Sequence, residues 1–543
     1  MRLSASNDNK MINRRNFIQK SILASVGSWL AFPTFGANPG RHFSFDNKIL
    51  TSSNTTKGYD KPDIIFFMTD QQRWDAIGIN NPQIKTPNLD RLAREGILYN
   101  QATCQAPMCT PSRNSMMLGL YPSQLGIRSN DSHALGDSFL PCDPIPALLQ
   151  KAGYQTAGFG KTHWGITDHP IGTRGFETRV VGAKEVGIEI GATHYQDDEN
   201  PNGLAAYRKE TATYEAGEEG VDGFIGAVSE VADRDHRDGW VAEKCLEFLD
   251  KGIDPNRPLF LYLSFLKPHA GLNAPKRFVE MYNINDIPDT IQPPWPEENE
   301  THLAYSDKTN KFQANRHEKW LATWSKMTPM ERRRTILRYY ANCSWLDDYF
   351  GQALLKLEKA GRLKNSLIVF TSDHGEMLGE RNFRFTKYCL YESSVRVPVI
   401  LSGAVIPEGL RGTIDNRSVE LVDLYPTIAK VVGTKQQLSS PGLDLLSNQK
   451  HLGSFCEYHD SGAPAYMWRT NQWKLILFVD RPLTEARFST DSIKGELYNL
   501  VTDPHEWDNV YDDNKNAAIR EKLKTELLTH LACTFAGFPI GKG

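Results

Sequence analysis

The sequence contains no C-x-x-C pair. Its eight cysteines, at 104, 109, 142, 245, 343, 389, 456 and 533, are scattered, which argues against a zinc ribbon or a thiol redox module. Spacing alone identifies no disulfide among them. The chain also lacks a net charge of one sign: 62 basic residues nearly cancel 65 acidic ones, so no global field recruits nucleic acid or a membrane surface. Any anion specificity must therefore come from local placement of Lys, Arg and His. Internal repeats and low-complexity tracts are absent too. At 543 residues the chain exceeds one small core, and a large domain of several hundred residues plus a smaller one is expected.

Near the N-terminus, Asn13-Arg14-Arg15-Asn16-Phe17-Ile18-Gln19-Lys20 precedes a weakly apolar run from Ser21 to Phe35. The pairing resembles a twin-arginine export signal rather than a membrane span, with cleavage near Gly36 or Ala37 and Met11 as an alternative start. No cysteine lies near its end, so neither a lipoprotein anchor nor any other stable membrane attachment is expected. The expected organisation is a signal peptide at 1–37, a polar connector at 38–61, a catalytic domain at 62–450 and a C-terminal subdomain at 451–543. Such a signal would send the protein to the periplasm.

Asp63-Ile64-Ile65-Phe66-Phe67-Met68-Thr69 is apolar on consecutive positions, as in a strand covered on both faces. Thr86-Pro87-Asn88 then provides cap and first-turn chemistry for a helix closed by Gly96. Further strands are expected at Thr156–Phe159, Leu259–Phe265, Leu367–Thr371 and Val397–Leu401, separated by helical patterns such as Pro329–Lys359 and Val419–Val432. The fold class is α/β: a large, mostly parallel sheet flanked by helices. From about Gly453 short alternating runs predict a smaller α+β subdomain, an antiparallel sheet with a terminal helix near Ala517–Leu531. Segments 166–235 and 275–325 are polar and aperiodic and read as loops over the active edge. Asp70, Lys161, His163, His269, Asp373 and His374 all fall at or just past the C-terminal ends of the predicted strands, the edge where open α/β sheets bind ligands.

Cys109-Thr110-Pro111-Ser112-Arg113, extended to Leu118-Gly119, places one cysteine in a context that a structural thiol does not require. With Asp70, Gly160-Lys161-Thr162-His163-Trp164-Gly165, Pro268-His269, Asp373-His374-Gly375-Glu376 and the closing Glu496-Leu497-Tyr498-Asn499-Leu500, it resembles the type I sulfatases of the alkaline phosphatase superfamily, over roughly residues 62–510. Several motifs in the right order are far more specific than any one of them.

The resemblance implies that Cys109 is oxidised after synthesis to formylglycine, whose hydrate supplies an alkoxide for attack on sulfur; a bare thiolate would be a different reagent. A formylglycine-generating or anaerobic sulfatase-maturating enzyme is then a partner. By position Asp70, Gln71, Asp373 and His374, with the modified Cys109, match the family's metal ligands, and hard oxygen donors favour calcium. Many relatives place a second Asp where Gln71 stands and Asn where His374 stands. This chain therefore has a softer, less charged site that leaves magnesium and manganese open. Asp373 is the candidate base for the hydrate. Lys161 and His163 match the pair that holds the second hydroxyl, His163 later drawing off its proton. Lys387, His269 and Arg113 match groups facing sulfate and leaving group, with His269 as the acid and Arg113 orienting the hydrate.

Export and long polar loops predict a sulfated polysaccharide or oligosaccharide as substrate. Tyr195, Arg316, His317, Trp320 and Arg384 are candidates to stack on sugar rings or pair with neighbouring anionic groups. Two rivals stand beside this. One is a phosphate or phosphonate ester hydrolase, or a small-molecule aryl or choline-type sulfatase, of the same superfamily. The other is a non-catalytic carbohydrate-binding protein in which Cys109 stays a thiol.

Overall fold

Asp63–Asp70 (β1) can be apolar at successive positions because helices cover both of its faces. Ile64, Phe66 and Met68 join one buried cluster, while Ile65 and Phe67 join another on the opposite side. The computed structural model describes residues 12–13, 60–166, 171–182, 194–215, 226–295, 327–434, 440–459, 464–479, 487–488 and 493–535. Nearly all of the expected export signal and of the connector lie outside them. Among the described residues no helix is long and apolar enough to cross a membrane.

The main elements are α1 (Pro87–Glu95), β2 (Ile97–Tyr99), α2 (Cys109–Leu118), β3 (Gln155–Gly160), β4 (Thr178–Val181), β5 (His194–Tyr195), α3 (Arg237–Lys251), β6 (Leu259–Pro268), α4 (Pro329–Lys359), β7 (Ser366–Ser372), β8 (Val399–Ser402) and β9 (Thr413–Asp415). The strands form a nine-stranded sheet in the order β9-β2-β8-β7-β1-β6-β3-β4-β5. Only β8 runs antiparallel to its neighbours. The apolar run expected at Val397–Leu401 is thus a strand, but one that reverses direction: the connection from β7 holds only short helical turns, at Glu380–Phe383 and Glu392–Val395, and returns antiparallel. One sheet face is packed by α3 and α4, with Phe67 stacked on Phe350 at 4.7 Å between ring centroids. The other carries α2 and the 424–431 helix.

Helix α4 matches its expected span. Thr328 accepts from the Glu331 amide while Glu331 accepts from the Thr328 amide, a capping box followed by Pro329. Two expectations need correction. Segment 166–235 is not all loop, since Pro201–Glu215 forms a helix. The pattern Val419–Val432 begins as a short strand at Val419–Glu420 and a 3-10 turn at Leu421–Asp423, because Asp423 draws the Glu420 amide onto its own carboxylate before the helix starts.

The C-terminal antiparallel sheet is β10 (Ser454–Tyr458), β11 (Ala465–Arg469), β12 (Trp473–Phe478) and β13 (Lys494–Asn499), in that order. Helix α5 (Ala517–Phe535) covers it through Leu523, Leu527, Leu528 and Leu531. This unit is bonded to the large sheet: the Glu457 amide donates to Gln105 O at 3.0 Å, and buried Glu392 pairs with Arg469 at 2.7 Å and Lys474 at 2.8 Å.

His451 makes a further tie, with its Nε2 2.8 Å from Asp423 Oδ1. Burial opposes its charge, but Asp423 and Glu420 prevail and raise it from 6.5 to about 9. Because the folded value lies above the unfolded one, this contribution is fully present below pH 6.5 and is lost as pH rises through about 9. It is on the order of 3 kcal/mol at most. His451→Asn is expected to lower the unfolding temperature at pH 6 and to converge on wild type above pH 9.5, which thermal denaturation across that range will check.

Candidate active site

Four neighbouring strands deliver the reactive residues to one edge. Asp70 ends β1, Lys161 follows β3, His269 follows β6 and Asp373 follows β7. The backbone turns sharply at these exits. Gln71 has φ 67°, and at Gly160, with φ 86°, an added Cβ would lie 1.9 Å from Ser264 O, so only glycine fits there. Helix α2 begins at Cys109 itself, with every residue buried, and its positive N-terminal end meets the strand edge.

The side chains converge on the Cys109 Sγ. His374 Nε2 lies 3.2 Å from it, Lys387 Nζ 3.4 Å and Asp70 Oδ1 3.7 Å. Lys161 Nζ sits 2.5 Å from Asp70 Oδ2. Arg113, fully buried, binds both carboxylates, with Nε on Asp373 Oδ2 at 2.7 Å and Nη2 on Asp70 Oδ2 at 3.0 Å. Its remaining donors go to Lys161 O at 2.8 Å, Ser264 Oγ at 3.0 Å and Tyr262 OH at 3.4 Å. Arg113 therefore orients the ligand set from beneath.

These charges drive the two carboxylates apart. Burial pushes Asp70 up, but Lys161 and Arg113 outweigh it and hold Asp70 well below the usual range. Asp373 has no lysine of its own, and burial together with Asp70 leaves it raised despite Arg113. Burial and Asp70 oppose ionisation of the Cys109 thiol, yet Lys161, Lys387 and His374 hold it well below normal. Burial and Lys387 push His269 down to about 3, so its imidazole is neutral in the free site. Burial and Lys161 also lower His163, whose backbone is left-handed at φ 54° and whose buried Nδ1 has no hydrogen-bond partner among the described residues.

The donors suit a divalent cation. Asp70, Cys109, Asp373 and His374 each present one ligand atom, all within 4.8 Å of one another. The Nδ1 of His374 lies 3.0 Å from Gly375 O, an acceptor only, so Nδ1 carries a proton and Nε2 is the atom presented to the cluster; burial opposes charge on this imidazole, but Asp373 prevails and raises it, so a bound cation would displace a proton from Nε2. Gln71 completes the expected set, its Oε1 accepting from Lys387 Nζ at 2.6 Å.

Of the expected glycan contacts, Tyr195 and Arg384 lie within the described residues. Arg384 is buried, with Nη1 on Arg381 O at 2.6 Å. Tyr195 lies on the edge strand β5, four strands from β1. Arg316, His317 and Trp320 lie outside the described residues. Sequence reasoning missed Tyr262 and Ser264, although two polar residues at alternate positions in an otherwise apolar strand mark one face. It also missed Asp238, which accepts the Leu266 and Lys267 amides at 2.8 Å each and holds the loop carrying His269. Nothing local in the sequence signals that role.

Arg113→Lys keeps the charge but loses the fork that spans two carboxylates. It is expected to abolish turnover and to lower stability by about 3 kcal/mol or more, since buried carboxylates lose their partner. Denaturant titration and an activity assay check this, and an active variant of wild-type stability would contradict it.

A sulfatase family model matches residues 62–434, and a model described as N-sulphoglucosamine sulphohydrolase, C-terminal, matches residues 379–532. An arylsulfatase of Clostridium perfringens is 27% identical over 462 residues, covering 81% of this chain and 90% of that protein. An ulvan-active sulfatase of Formosa agariphila is 26% identical over 395 residues, covering 71% of this chain and 64% of its own length. Among solved structures, a phosphonate monoester hydrolase from Silicibacter pomeroyi superposes with a TM-score of 0.67 at 20% identity, covering 87% of this chain and 96% of that one, a likeness of fold alone. With the family model spanning more than half its length, the chain belongs to the sulfatase family, hydrolases of sulfate esters.

Proposed function

We propose that the protein removes sulfate from a sulfated polysaccharide or oligosaccharide after export, using a formylglycine made from Cys109 by a maturating enzyme and a calcium ion held by Asp70, Gln71, Asp373 and His374. The family generally uses a formylglycine and a divalent metal. The observation that carries the reading is the convergence on Cys109 Sγ of two buried carboxylates, an imidazole and two lysines at one sheet edge. The Sγ marks where the oxygens of the hydrated aldehyde would stand.

Once formed, the hydrate would supply an oxygen nucleophile, and a cation held by Asp70, Gln71, Asp373 and His374 would supply Lewis acidity there. The chain's own groups do the rest. Asp373, the raised carboxylate, takes the proton at its Oδ. Lys161 and Lys387 flank the cluster and balance charge on the sulfuryl oxygens. His269, neutral in the free site, donates an N–H to the leaving oxygen, and the approach of an anionic ester favours its protonation. His163 is the base for product release, its lowered value keeping the imidazole unprotonated.

The ulvan-active relative and the expected export signal support a glycan substrate. A panel of carrageenan, ulvan, fucoidan and glycosaminoglycan fragments, run beside small aryl sulfates and phosphate and phosphonate esters, tests it. Turnover of aryl sulfates alone would overturn the glycan assignment, and a preference for phosphorus esters would overturn the sulfate one. Cys109→Ala and Cys109→Ser are expected to cut sulfate release by at least about 10³-fold with the fold intact, and mass spectrometry should find an aldehyde at position 109 in the matured wild type. Loss of less than tenfold would exclude this nucleophile. Chelation is expected to inactivate the enzyme, with calcium restoring it better than magnesium or manganese. Elemental analysis of the purified protein checks the ion.

A further inference from the structure

Gln71 is bonded through every polar atom it has. Its amide donates to Asp373 Oδ1 at 2.9 Å, its carbonyl accepts from Tyr339 OH at 2.7 Å, its side-chain oxygen accepts from Lys387 Nζ at 2.6 Å, and its side-chain nitrogen donates to Glu376 Oε2. Residue 71 also has a left-handed backbone, uncommon outside glycine and kept where the surroundings over-determine it. Which end of the amide faces the cluster follows from chemistry. Lysine has no acceptor, so the oxygen must face Lys387, and the nitrogen is left with a carboxylate oxygen that accepts it.

Glu376 is buried and divides its two oxygens between two tasks. Its Oε1 accepts the Leu378 amide at 2.9 Å and the Thr386 amide, closing the loop that carries Lys387. Its Oε2 takes the Gln71 nitrogen. Loop closure by itself needs only Oε1.

We infer that Glu376 is a positioning residue for the proposed metal site: through its Oε2 it fixes the Gln71 amide so that the Gln71 oxygen faces the ligand cluster and Lys387. Gln71 and Glu376 form a matched donor and acceptor pair. A carboxylate at position 71 would meet the Glu376 carboxylate instead of donating to it. The inference rests on the sulfatase reading and its divalent cation.

Glu376→Gln separates the two tasks. The new amide keeps an oxygen for the loop but presents a donor to the Gln71 nitrogen, which leaves two donors face to face unless the Gln71 amide turns its oxygen away from the cluster. The full-length protein, stripped of metal, is titrated with calcium, magnesium and manganese by calorimetry, with metal-free unfolding temperatures measured alongside. Glu376→Gln is expected to weaken calcium binding by about 10- to 100-fold. Its metal-free unfolding temperature should stay within about 4 °C of wild type. In Gln71→Glu/Glu376→Gln the donor and acceptor are exchanged, and binding should recover to within about threefold of wild type, which a purely structural role for Glu376 would not produce. Glu376→Asp, which keeps the charge but withdraws it by one methylene, should fall between. If Glu376→Gln fails to fold, Glu376→Asp and the exchanged pair carry the test. Unchanged calcium affinity in either single variant, or an exchanged pair weaker than Glu376→Gln, overturns the inference while leaving the sulfatase reading untouched. A wild type that binds none of the three ions overturns both the metal assignment and this inference.

Discussion

Asp70 and Asp373 end adjacent parallel strands with no solvent exposure, and the site depends on how that burial is compensated. Two ionised carboxylates at such a depth are prohibitive without partners, since the desolvation of each amounts to several kcal/mol. Arg113 reaches both, and its remaining donors tie the 155–160 and 259–268 strands to the same point through Lys161 O and Ser264 Oγ. Cys109 lies one helical turn before Arg113, on the same face of its helix. The position of Cys109 is thus set by the ion pair: wherever the guanidinium must sit to satisfy the acids, the cysteine is carried to their opening.

Sharing one guanidinium between two acids makes them unequal. Lys161 sits on Asp70 and holds it ionised, while Asp373 stays raised by burial and by its neighbour's charge. A cation in the cluster would favour ionisation of both, coupling ion binding to proton release. Without it Lys161, Lys387 and Arg113 are set against Asp70, Asp373 and the Cys109 thiol at this edge. In a chain whose overall charge is only −3, cations for an anionic ester come from this local placement and not from the whole protein.

What was legible in the sequence follows from the range of the interactions. The buried strands were readable because a sheet covered on both faces demands apolar residues at every position. Residues 329–359 were readable because proline, threonine and glutamate mark their start within four residues. Cys109, Lys161, His269 and Asp373 were readable because strand ends and short motifs carry them. The partners of Arg113 on the 259–268 strand and the hold of Asp238 on the His269 loop were not, because they come from pairings 28 to 151 residues apart that local periodicity does not encode. Arg384 shows what a local reading leaves out. An arginine in a polar loop reads as a substrate contact, yet here it is buried, its guanidinium donating to a carbonyl three residues away.

The departure at position 71 illustrates how such a site tolerates change. Replacing a ligand carboxylate by an amide removes a negative charge from the cluster but adds an N–H that must be satisfied in a dry environment. Glu376 satisfies it, so the charge missing from the ligand set reappears one hydrogen bond further out. There burial raises the Glu376 carboxyl, opposed by the Leu378 and Thr386 amides. A cation facing Gln71 would meet a neutral oxygen polarised by Lys387 on one side and by a carboxylate behind the nitrogen on the other. The field at the cluster is then graded rather than concentrated on one ligand. That lets the same buried edge keep Lys387 3.4 Å from Cys109 Sγ without collapsing it onto an acid at position 71.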